Sequence, residues 1–104
     1  MTVDLNDARV ALAVYFASTA SWRREKAREC PDDLRNLTAA ELLERLAATV
    51  SEIDTQTLDA YGALLDDVED SERHSEMLRE IGFHWEPDNA LEFVQRFIAE
   101  TRGA

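Results

Sequence analysis

Hydrophobic residues recur along this chain at intervals of three and four, the period of an α-helix that packs one face inward. The stretch from 37 to 53 shows the pattern most plainly. Leu42, Leu43, Leu46, Val50 and Ile53 fall on one side, with Glu44, Arg45 and Glu52 outside it. Thr38 followed by Glu41 has the spacing of a capping box, in which the hydroxyl accepts from the Glu41 amide and the carboxylate reaches back to the Thr38 amide. The pattern predicts a helix from the Thr38 cap to Ile53.

Before it, Asp4 or Asn6 is placed to cap a first helix running to about Glu29. Its stripe is Leu5, Ala8, Leu12, Tyr15, Phe16, Thr19 and Trp22, widened by Val10, Ala13, Val14 and Ala17. The alternation of large residues at 10, 12, 14 and 16 also fits a strand. Helix is favoured because alanines fill most of the gaps and no second strand is present to pair with it. A helix apolar on most sides belongs at the centre of a bundle or in a subunit interface, which predicts a homodimer through this element. Pro31 then breaks the chain after Cys30. Leu34 and Leu37, three apart, are expected in a short turn tucked under the bundle.

Beyond Ile53, Asp54-Thr55-Gln56-Thr57 offers a new cap, and Leu58, Tyr61, Leu65 and Val68 form the next stripe with Leu64 beside it. Gly62 weakens that helix by about 1 kcal/mol relative to alanine unless a neighbour packs against it. Asp70-Ser71 is expected to cap or kink the start of a fourth helix carrying His74, Met77, Leu78 and Ile81. Gly82 then ends it as a left-handed residue, followed by apolar Phe83. The last helix opens near Pro87, Asp88 or Asn89, with Glu92 completing a cap on Asn89. Leu91, Val94, Phe97 and Ile98 are predicted inward, and Phe93 at one edge. The sum is an all-α fold: a single domain over residues 1–104, a compact bundle of four to five helices, mostly antiparallel.

Charge changes the picture more than composition does. The chain has 22 acids against 11 bases, a formal net charge of −11. From Leu46 to Glu72 there are eight acids and no Lys or Arg. Such a field repels phosphate backbones and anionic lipid heads and attracts basic surfaces, so direct nucleic-acid and membrane binding are disfavoured. Cys30 is alone, which leaves no intramolecular disulfide and no sign of an oxidising compartment. The longest uncharged run, Val10 to Trp22, has 13 residues. That falls short of the roughly 20 needed to span a membrane. Asp4 and Asp7 precede it where a signal peptide carries bases, so the expectation is a cytoplasmic protein.

No glycine-rich phosphate loop, paired CxxC, HExxH or ExxH pattern occurs. The candidate surfaces are therefore ones that bind. Asp59, Asp66, Asp67 and Asp70 would lie away from the apolar stripe of a helix from 58 to 70, and would present one negative surface to a basic partner. A merely solvated helical face accounts for the same residues. Trp22 with Arg23 joins residue types enriched at interface hot spots, although acids nearby leave a local charge of only +1 over residues 23–35.

Asp66, Asp70 and His74 are spaced for a metal only if the helix continues unbroken, and the apolar neighbours of His74 turn its ring toward the core. His84-Trp85-Glu86 sits on a connection where function often resides, but Trp85 serves equally well as a plug closing the bundle. Cys30 lacks an activating base. The reading is a small acidic protein-interaction module of inhibitor, immunity or adaptor type, with no cofactor and no catalytic residues. The rival is a small helical metal- or ligand-binding domain or enzyme using Asp70, His74, His84 and Glu86. A third expectation is an apolar ligand held against Tyr15, Phe16 and Trp22.

Overall fold

Leu12, Phe16 and Ala20, each one helical turn from the next, are buried on one side of α1 (Leu5–Glu29) and open the hydrophobic core. The computed structural model describes the backbone of residues 5–102 and the side chains of residues 7–101. The predicted caps Asp4 and Asn6 and the stripe position Leu5 lie outside those side chains. Four more helices follow: α2 (Arg35–Ala48), α3 (Thr55–Leu65), α4 (Val68–Glu80) and α5 (Ala90–Arg102). A 3₁₀ turn over Val50–Glu52 joins α2 to α3. The architecture is the all-α bundle that the periodicity predicts.

The broad apolar stripe of α1 is only partly used. Val10 and Val14 are each 55% exposed, and Tyr15 and Trp22, expected inside, stand half-exposed at its margin. The reason is geometric: α1 has 25 residues and is packed on one side, so only the Leu12-Phe16-Ala20 row is covered.

α2 starts earlier than the Thr38 cap. The Asp33 carboxylate accepts from the Arg35 amide and holds the Arg35 guanidinium, which fixes the chain at the first turn. Thr38 is thereby inside the helix, and its hydroxyl donates to the Leu34 carbonyl, so no capping box with Glu41 forms. Leu34 and Leu37 do not tuck under the bundle. They join Glu41 and Glu44 on the outer row, Leu34 being 71% exposed, while Asn36, Ala39, Ala40, Leu43 and Leu46 face inward.

The predicted helix to Ile53 stops at Ala48, yet the 3₁₀ turn still buries Val50 and Ile53. Thr49 makes that junction. Its hydroxyl donates to the Leu46 carbonyl and accepts from the Ala90 amide, satisfying a free donor at the start of α5. Arg9 of α1 donates to the Ile53 carbonyl and ties the same turn to the first helix.

Asp54 caps α3, accepting from the amide and the hydroxyl of Thr57. The next break comes at Asp66-Asp67, four residues before the expected Asp70-Ser71. Asp67 accepts from the amides of both Glu69 and Asp70, so α4 begins at Val68. Val68 accordingly leaves the α3 stripe and is 74% exposed. His74, Met77, Leu78 and Ile81 are buried as a set.

Gly82 follows with φ +86° and donates its amide to the Trp85 carbonyl, while the amides of Phe83 and His84 return to Glu80. Asn89 caps α5 through the Glu92 amide, and the Glu92 carboxylate accepts from Asp88. Phe93 is not at an edge. It is fully enclosed with Val94 and Phe97, because Phe16, His74 and Trp85 converge on its ring. Among the described residues no helix is long and apolar enough to cross a membrane.

Candidate functional site

Two surfaces and one buried pair carry the polar chemistry of this bundle. The first surface is the corner between α3 and α4. Asp59, Asp66 and Asp67 are exposed there and Asp70 is half-buried. The single helical face expected from 58 to 70 does not form, because the chain turns at Asp66-Asp67 and distributes the four carboxylates over two helices and their junction. Asp67 is committed to two amides of the next helix.

The ion pairs lie elsewhere. Among the described residues they join Arg24 to Glu44, Lys26 to Glu29, Arg35 to Asp33 and Arg96 to Glu100. Arg35 holds the Asp33 carboxyl down at about 2, through hydrogen bonds first and charge second. Among the described residues no acid between Leu46 and Glu72 takes part in such a pair.

The second surface is a groove of about 480 Å³ between α1 and α4, lined by Tyr15, Ser18, Thr19 and Trp22 from one helix and Ser75, Leu78 and Arg79 from the other. Of the residues expected to hold an apolar ligand, Tyr15 and Trp22 line it. Phe16, grouped with them, is buried in the core instead. Ser18, Thr19, Ser75 and Arg79 went unremarked, since only the packing of α4 across α1 brings them together; no spacing within one helix signals it.

Arg23, next to Trp22 in the chain, ties α1 to α4 and α2. One nitrogen of its guanidinium donates to the Arg79 carbonyl at the end of α4, and another donates to Oδ1 of buried Asn36 at 3.3 Å. Its carbon sits 4.5 Å from the Trp22 ring centre and 4.2 Å from that of Phe83. Burial, and then the nearby Arg79 charge, press its pKa downward. Trp22 and Arg23 are thus a rigid unit, with the arginine holding three helices together.

The buried pair is Tyr61 and His74, whose hydroxyl and Nε2 lie 2.9 Å apart. Four aromatic rings surround the imidazole: Tyr15 from α1, Tyr61 from α3, Phe93 and Phe97 from α5, with centroids 5.0–5.5 Å away. Desolvation pushes His74 down to about 4 and raises Tyr61 well above the ordinary phenol range. Both are neutral across the physiological range.

The structure does not draw Asp70, His74, His84 and Glu86 into one donor set. His74 is enclosed, His84 and Glu86 are exposed beyond the end of α4, and among the described residues no three His, Cys, Asp or Glu side chains cluster to hold a metal ion. Trp85 acts as the plug: it stacks on Phe93 at 5.8 Å and donates from Nε1 toward the Met77 carbonyl, with Arg96 over its ring. Cys30 is free and exposed. Compared with protein-family models, with curated proteins and with solved structures, the chain finds no match.

Proposed function

We propose that the protein is a cytoplasmic interaction module of inhibitor, immunity or adaptor type, which uses the α3–α4 corner to dock on a basic surface of another protein. One observation carries this reading: the eight acids of residues 46–72 have no base within the stretch and, among the described residues, none across the fold within ion-pair distance, while all four ion pairs use acids outside it. Exposed charge of one sign gathered in one quarter of the chain steers association and is not needed to hold the helices. Asp59, Asp66, Asp67 and Asp70 are the contact residues, with Trp22 and Arg23 as a second contact area. A homodimer along α1, pairing the exposed Val10 and Val14 of two copies, belongs to the same proposal.

The test replaces Asp59, Asp66, Asp67 and Asp70 by Asn. Asn caps a helix as well as Asp, so Asp67→Asn keeps the start of α4. Affinity capture from the native host should yield a partner whose retention falls steeply with salt and vanishes with the variant, at unchanged helix content. Retention that survives both changes overturns the reading.

A further inference from the structure

We propose that the groove between α1 and α4 is a binding site for a small aromatic carboxylate that also carries an N–H or O–H donor. This goes beyond the docking of a basic partner, which concerns the opposite charge on another part of the molecule. The argument begins with charge. In a chain with two acids for every base, Arg79 lines this groove with no carboxylate within 4.0 Å of it among the described residues, and the charge beside it is the like charge of Arg23. A guanidinium on a groove wall without a counter-charge is a group that an anion completes.

Shape and lining narrow the anion to an aromatic one. Tyr15 and Trp22 supply flat apolar walls and Leu78 joins them, in a volume within the range of small-molecule sites, about 300–1,000 Å³. The hydroxyls then define what else the ligand carries. Thr19 donates its proton to the Tyr15 carbonyl at 2.9 Å, and Ser75 donates to the Ser71 carbonyl at 3.3 Å. With its proton so used, each oxygen keeps acceptor capacity, so these side chains accept and a ligand donor satisfies them. Arg23 is already held by Asn36 and the Arg79 carbonyl, which fixes the backbone at Arg79 and leaves the Arg79 side chain as the one free to grip.

Indole-3-acetate is a suitable probe, since it combines a carboxylate, an aromatic plane and an N–H. Its neutral isostere indole-3-acetamide is the control. Titrated into the isotopically labelled full chain, the acid should shift the resonances of Tyr15, Trp22 and Ser75 saturably, with the amide binding at least about tenfold more weakly. Arg79→Gln alters an exposed side chain whose carbonyl, not guanidinium, serves the fold. It should erase the preference for the acid and leave binding of the amide unchanged. Equal affinity for acid and amide, shifts confined to residues outside the groove, an unaltered Arg79→Gln profile, or no shift up to the solubility limit would each overturn the proposal. The Asn variants of the acidic corner should bind the probe as the natural chain does, which separates this outcome from the fate of the docking model.

Discussion

The phenol oxygen of Tyr61 lies 2.9 Å from Nε2 of His74, and this bond pairs the hydroxyl with one of the two imidazole nitrogens in an otherwise aromatic interior. Its pH behaviour follows from the lowered imidazole pKa, about 4 in the folded chain against 6.5 for the free group. As pH falls below 6.5 the unfolded chain takes up a proton that the folded chain refuses until near 4. Stability from this group is therefore full above pH 6.5 and is lost as pH drops toward 4, by about 3 kcal/mol. No carboxylate or cation pairs with the ring among the described residues to oppose that loss. Urea melts at pH 7 and pH 4.5 should show it, and the double variant Tyr61→Phe/His74→Leu should lose less stability over the same interval. An unchanged pH slope in the double variant would place the acid sensitivity elsewhere.

Gly82 and Ala39 fix how the end of α4 meets α2. A Cβ built on Gly82 falls 2.6 Å from the Ala39 Cβ and 2.8 Å from its Cα, and the backbone is left-handed at φ +86°. Ala39 is fully buried in the middle of a helix and has nowhere to move. Gly82→Ala should destabilise by about 3 kcal/mol, the sum of the backbone penalty and a core clash. Thermal denaturation reads this directly, and a loss under 1 kcal/mol would mean that the helices separate easily at this contact.

Gly62 predicts the opposite sign. A Cβ there meets nothing within 4 Å, and its φ is not positive. The close packing that would justify a glycine inside α3 is absent at this position. Gly62→Ala should stabilise by about 0.5–1 kcal/mol, through helix propensity and a less flexible unfolded chain. The two glycines, both read from sequence as helix-weakening or helix-ending, part company only once their neighbours are known.

That contrast shows what a sequence conveys here. Periodic burial was legible: Leu42, Leu43, Leu46, Leu58, His74, Met77, Leu78, Val94 and Phe97 all face inward, because a helix that buries a stripe must space it at three and four. Caps were legible where one side chain dominates, as at Asp54 and Asn89. They were misplaced where several compete. Asp66, Asp67, Asp70 and Ser71 can each cap, and so can Asp33 and Thr38; the winner is the residue whose carboxylate reaches the following amides once the helices dock. The groove was half legible. Tyr15 and Trp22 stood out as large apolar residues on a broad stripe, but Arg79 and Ser75 approach from more than fifty residues away. A contact of that kind leaves no local signature.

Asp67 offers the sharpest test of the α3–α4 corner, since the same carboxylate has a structural duty and a place in the docking surface. It accepts from two amides at 2.9 and 3.2 Å, satisfying two donors that α4 would otherwise leave free. Asp67→Ala should cost about 1 kcal/mol, and Asp67→Asn far less, because an amide oxygen accepts the same bonds. Asp66, exposed and without a side-chain bond among the described residues, should tolerate either change within about 0.5 kcal/mol. Chemical denaturation of the four variants separates the terms. If Asp66→Ala proves as damaging as Asp67→Ala, then the α4 cap is shared across the turn, and charge removal at this corner cannot be separated from unfolding it.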